Sequence, residues 1–136
     1  MSDRRYQVFK FGGTSVRDAG RVRRVVELVG QEDASAQRVV VVSALGGVTD
    51  RLLRAADEAV ARSGEHRAIL AELRARHDAV LAQVARIDEH EALRAQLDAQ
   101  FYTLGELLDG VFLLRECTLR ARDSIASMGE RMSAPL

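Results

Sequence analysis

Two glycine pairs, Gly12-Gly13 and Gly46-Gly47, each follow a short run of aromatic or β-branched residues, and each precede a helical pattern. That repetition constrains the fold more than any other feature of the chain. Tyr6-Gln7-Val8-Phe9-Lys10-Phe11 alternates and stops at the first glycines, as a strand entering a tight loop does. Arg38-Val39-Val40-Val41-Val42-Ser43 carries four consecutive valines, the pattern of a strand buried on both faces of a parallel sheet. Between them Val22, Val25, Val26 and Val29 recur at three- and four-residue spacing and predict an amphipathic helix over 16–29. Thr14 or Ser15 is expected to cap its start and Gly30 to end it, with 31–37 a polar connection. Thr49 and Asp50 are expected to cap a second helix from Arg51 to Arg62. Residues 1–63 therefore read as a βαβα unit with parallel strands near 5–11 and 38–43. The crossover rule brings both glycine loops and both helix starts to one edge of the sheet, where a ligand site belongs.

Beyond Gly64 the period is helical throughout. Leu70, Leu73, His77, Val80, Val84 and Ile87 form one stripe, Asp88-Glu89-His90 breaks it, and Leu93, Leu97, Leu104, Leu108 and Val111 form another. Residues 64–118 thus predict an antiparallel helical hairpin packed within the domain, with His77 at the core edge; a coiled-coil dimer is the other reading of the same spacing. Residues 119–136 hold a further helical segment containing Ser127-Met128-Gly129-Glu130-Arg131. Two strands leave two unpaired sheet edges, so the sheet is expected to be unfinished and the chain to be part of a longer protein.

Composition narrows the function. Hydrophobic residues make up 47% and charged residues 29% of 136, the balance of one ordinary folded domain. Lys plus Arg and Asp plus Glu are equal at 20 each, so no large field exists to hold nucleic acid or an anionic membrane. No stretch approaches the roughly 20 apolar residues of a membrane span. The opening residues lack a secretory core, and a cytoplasmic location is expected. The single cysteine, Cys117, lies among Leu113, Leu114 and Leu119 and is expected to act as a small buried hydrophobe. Of the 20 basic residues only Lys10 is lysine, which singles out a position where a compact ammonium differs from a guanidinium.

Lys10-Phe11-Gly12-Gly13-Thr14-Ser15 is neither a Walker loop nor a dinucleotide fingerprint, because its lysine precedes its glycines. The physics is related. Glycines let backbone amides approach phosphate oxygens, Thr14 and Ser15 offer hydroxyls, and Lys10 adds a full charge. Such an arrangement suits phosphoryl transfer, although a plain βα turn with a surface lysine explains the same residues. Ser43-Ala44-Leu45-Gly46-Gly47-Val48-Thr49-Asp50 repeats the device on the same edge, and helix capping by Thr49 is its simpler reading. Glu130, after a small flexible residue, can accept hydrogen bonds from a substrate ammonium or be an ordinary solvated helix residue.

Taken together, three segments resemble the aspartate kinases: Val8 to Val16, Val41 to Asp50, and Ser127 to Ser133, in order and at fitting separations. The resemblance implies an α/β fold, the start of an amino-acid-kinase-type α/β/α sandwich. It implies transfer of the γ-phosphate of ATP, with Mg2+, to the β-carboxylate of L-aspartate, the first step toward lysine, threonine and methionine. Lys10, Gly12, Gly13, Thr14 and Ser15 would hold the phosphates, with Lys10 catalytic, and Ser43, Thr49 and Glu130 would hold aspartate. No tightly bound cofactor, protein metal site, nucleic acid or membrane is implied. The parent would be a homo-oligomer, and this chain would act only as part of it. The reading from another class is a non-catalytic helical interaction or anion-binding module.

Overall fold

The computed structural model describes residues 5–32 and 35–136. The first residues of the expected 1–63 unit, and positions 33 and 34 of the polar connection, lie outside the described residues. The element order is β1 (Tyr6–Phe11), α1 (Ala19–Gly30), β2 (Gln37–Val42), α2 (Val48–Ala61), α3 (Glu65–Val84), α4 (His90–Leu114) and α5 (Leu119–Ser133). The chain is α/β, with two parallel strands followed by helices.

β1 and β2 pair in parallel, with Tyr6 opposite Gln37 and Phe11 opposite Val42. Both strands therefore end at the same edge. α1 lies over the face that carries Arg38 and Val40, where an Arg38 guanidinium N–H donates to the Val29 carbonyl at 3.0 Å and a shallow apolar groove runs between Val25, Val26, Val29 and Val40. The opposite face presents Tyr6, Val8 and Lys10, all exposed, beside Val39 and Val41. The valine run is consequently not buried on both faces: Val39, Val40 and Val41 are 43–45% exposed. The pattern carries a demand for cover that two strands and one helix do not meet.

The core sits instead around α2. Leu52, Ala55, Ala56 and Ala59 have no exposed surface, and α2 packs against α3, α4 and α5 together. Alanines on the buried stripe let three neighbours approach one helix, while Leu52 supplies about 1.5–3 kcal/mol of burial.

The hairpin is present, with α3 and α4 antiparallel. His66 stacks tilted on Phe112, ring centroids 5.1 Å apart, and His77 meets Phe101 edge-on at 5.4 Å. Buried Ile69, Leu73, Val80 and Leu81 continue one stripe, and Leu97, Leu104, Leu108 and Val111 the other. His77, expected at the core edge, is fully buried, whereas Ile87 falls in the turn between the helices and is 98% exposed. Among the described residues no helix is long and apolar enough to cross a membrane.

Candidate functional site

Three glycine-containing segments converge where the two strands end. After β1, the Ser15 amide closes a turn on the Gly12 carbonyl at 2.9 Å, so that amide is not available to a ligand. The expected cap is displaced: neither Thr14 nor Ser15 caps α1. Asp18 does, in an extended conformation, its carboxylate accepting from the Arg21 N–H at 3.0 Å. The Arg21 N–H, and after it the charge of Arg17, hold the Asp18 carboxyl below the ordinary carboxylate range. Residues 12–15 are turned by the Ser15–Gly12 bond and α1 starts only at Ala19, so Asp18 is the residue in register to accept from its orphan amides. Gly30 remains within α1, and Gln31 is its C-cap.

After β2, the Ser43 amide donates back to the Phe11 carbonyl at 3.0 Å, which ties the second loop to the end of the first strand. A side chain on Gly13 would meet the Ala44 carbonyl at 3.6 Å and Ser43 Oγ at 3.7 Å, so the two loops lie in van der Waals contact. Helix α2 begins earlier than expected, at Val48. Its N-cap is Gly47, at φ +76° and without any side-chain cap. Thr49 and Asp50 therefore lie inside the first turn and do not cap it. A left-handed cap that glycine alone adopts easily replaces the side chain.

The third segment arrives through α5, which Thr118 caps by accepting from the Ala121 N–H at 3.1 Å. The Asp57 carboxyl on α2, kept below its ordinary range by the Arg122 guanidinium, links α5 to α2. A Cβ on Gly129 would lie 2.7 Å from the Ala44 Cβ, so α5 reaches this approach only because that position lacks a side chain. Ser133 Oγ donates to the Ser43 carbonyl at 2.7 Å. Together these contacts seat the helix carrying Glu130 directly on the Ser43–Ala44 loop.

Of the expected site residues, Ser43 and Glu130 fall in one group and Gly13 and Thr14 in a neighbouring one, the two meeting where Gly13 lies beside Ser43 and Ala44. Ser133 bonds the Ser43 carbonyl and Gly129 packs on Ala44, with Glu130 on the same turn of α5. Gly13 and Thr14 line an open groove of about 450 Å3 with Gly46, Gly47 and Arg17. Lys10 does not line that groove; it stands on the sheet face away from α1, opposite Val41. The side chains of Lys10, Thr14, Ser15, Thr49 and Glu130 have no hydrogen-bond or ionic partner among the described residues. Arg17 and Ser133 were not singled out by sequence. Ser133 stands in the Ser127–Ser133 segment, whereas Arg17 gives no signal of its own. Cys117, expected to be buried, is only partly so, because Leu113, Leu114 and Leu119 around it are 70–83% exposed; burial still pushes its thiol up. Among the described residues no cluster of His, Cys, Asp or Glu could hold a metal.

Comparison with known proteins adds the following. Residues 5–136 match the model of the amino acid kinase family. Aspartokinase 2, chloroplastic, of Arabidopsis thaliana is 34% identical over 136 residues, covering 95% of this chain and 23% of the relative. The bifunctional aspartokinase/homoserine dehydrogenase, chloroplastic, of Daucus carota is 29% identical over 131 residues, 96% of this chain and 14% of the relative. E. coli aspartokinase III, solved in complex with aspartate and ADP, superposes with a TM-score of 0.75 at 29% identity, covering 95% of this chain and 27% of that one. The chain spans about a quarter or less of the length of these relatives.

Proposed function

Because the chain belongs to the amino acid kinase family and its relatives are aspartokinases, we propose that it forms the phosphate- and substrate-binding front of an ATP-dependent aspartate kinase. The observation that carries this reading is the convergence of three distant segments, 12–15, 43–49 and 129–133, at one end of a parallel sheet. In open α/β sheets that end is where ligands bind.

In this reading the aspartate β-carboxylate attacks the γ-phosphorus in line, and the bond from that phosphorus to the bridging oxygen breaks. The electron pair leaves with ADP, an acyl phosphate forms, and no proton is transferred. Catalysis then consists of positioning and of offsetting charge on the transferring oxygens. Lys10 supplies an unpaired ammonium, and Gly12, Gly13, Thr14 and Ser15 shape the phosphate side. Ser43 and Thr49 donate hydroxyls to the substrate carboxylates, and Glu130 accepts from the substrate ammonium. Mg2+ arrives on the nucleotide phosphates, its usual mode of binding. A cytoplasmic location and a homo-oligomeric parent belong to the same proposal.

The test is aspartate-dependent ADP formation by the chain joined to the rest of its kinase. Lys10→Ala is expected to lower the rate by about a hundredfold or more, the scale for losing one charge-stabilising group. Absence of aspartate-dependent turnover in the completed wild-type protein would sink the reading.

A further inference from the structure

Among the described residues, one ionisable residue lines the groove between the two glycine loops, and it is not Lys10. Its lining is Gly13, Thr14, Arg17, Gly46 and Gly47, so Arg17 is the residue of that wall that can bring a charge to it. We propose that Arg17 is an anion-binding residue of this site, its guanidinium taking phosphoryl oxygens of a nucleotide laid between the loops. The proposal extends the kinase reading by adding a residue to its phosphate side.

Two contacts hold Arg17 there. Its carbonyl accepts from an Arg76 guanidinium N–H at 2.9 Å, which ties this part of the first loop to α3. Its aliphatic stem lies across Gly46: a Cβ on Gly46 would stand 2.5 Å from Arg17 Cγ, 3.1 Å from its Cβ and 3.3 Å from its Cδ. No side chain fits at position 46 while Arg17 lies as it does. The stem of a residue from the first loop is thereby laid along the second, where it forms part of the groove wall, while the guanidinium lies exposed beside Asp18 within a side-chain rotation of the opening. Its one ionic partner is Asp18, at 3.6 Å, with both side chains more than half exposed.

That pairing is weak. Exposed ion pairs contribute little, and the other Asp18 oxygen already accepts from the Arg21 N–H. A phosphate offers the planar guanidinium two oxygens at once, a geometry that an ammonium cannot match. The exchange of Asp18 for a phosphoryl group is therefore favoured when such a ligand enters the groove. Lys10, on the sheet face away from α1, and Arg17, in the groove, would approach the phosphate chain from different sides.

Inorganic pyrophosphate and MgADP, titrated calorimetrically into the chain at low and moderate salt, test the proposal with no need for turnover. Wild type is expected to bind both, and Arg17→Ala to bind about tenfold more weakly, as for loss of a charged hydrogen-bonding group. Arg17→Lys should recover only part of that loss. Gly46→Ala, which displaces the Arg17 stem without removing its charge, should weaken pyrophosphate binding in the same direction. Circular dichroism of each variant reports that the fold is kept. Unchanged affinity in Arg17→Ala, or no binding of either probe by wild type, overturns the role of Arg17. If Arg17→Ala binds normally while Lys10→Ala does not, the kinase reading stands and this one falls.

Discussion

Ser133 and Ser43, 90 residues apart in sequence, are joined by a hydrogen bond of 2.7 Å from the Ser133 hydroxyl to the Ser43 carbonyl. The Ser43 amide is simultaneously bound to the Phe11 carbonyl at 3.0 Å, so the backbone of this residue is held on both sides, by β1 and by α5. Ser133 itself is 7% exposed. Ser133→Ala removes the donor and leaves a part-buried carbonyl unsatisfied, at about 1–3 kcal/mol. The better helix propensity of alanine offsets up to ~0.5 kcal/mol of that. Urea unfolding should show a net loss of about 1–2 kcal/mol by the same principles; a loss of only a few tenths would mean that this bond does not hold the loop.

Two helical glycines should respond oppositely to alanine. At Gly129 the new methyl would meet the Ala44 Cβ at 2.7 Å and the Leu52 Cδ1 at 3.4 Å. Neither the loop backbone nor the fully buried Leu52 can retreat cheaply in a close-packed interior. Gly110 lies within α4 with nothing within 4 Å of a built Cβ. Gly110→Ala should therefore raise stability by about 0.5–1 kcal/mol through helix propensity alone. Gly129→Ala should lower it by about 1–3 kcal/mol through overpacking, and thermal melts that move the same way for both would contradict this account.

Much of this arrangement was legible in the sequence, for identifiable reasons. Strand, glycine pair and helix recur because side-chain period and turn chemistry are local, so β1, β2 and the shared loop edge could be read directly. The caps could not. The first helix starts at Ala19, later than its apolar pattern, which makes Asp18 and not Thr14 or Ser15 its cap, and Gly47 supplies a left-handed backbone where a capping side chain was expected. Exposure of the valine run was also illegible, because a sequence records which residues need cover and not whether cover is present. Lys10 stood out as the one lysine, and Gly13 and Glu130 through the segments that resemble the aspartate kinases. Arg17 did not, since its place depends on the bare backbone of Gly46, 29 residues away by the numbering of the chain. Ser133 looked like one more small residue until its partner lay opposite.

The hairpin carries an acid-sensitive seam. His77 is fully buried; its Nδ1–H donates to the Leu73 carbonyl at 2.8 Å, and its Nε2 has no partner. Neither ring nitrogen of buried His66 has one. Burial pushes both imidazoles below their ordinary range. For His77 the Leu73 carbonyl pulls the other way, with Arg76 and Arg74 against protonation and Asp78 for it. For His66, Arg67 adds to the depression and Asp109, from α4, opposes it. Asp98 of α4 faces this seam too, paired with Arg74. Both folded values lie below the unfolded value of about 6.5, so in that interval the unfolded chain binds protons that the folded chain refuses. Stability is then fully present above about pH 6.5 and falls as the pH drops toward the folded values. The carboxyls of Asp18 and Asp57 are shifted downward, so their titration falls below about pH 4 and outside this window. Melting temperatures are expected to decline from pH 7.5 to 5.5, and the slope to flatten in the His66→Leu, His77→Leu double variant. An equal slope in that variant would assign the acid sensitivity to other groups and remove the histidines from the account.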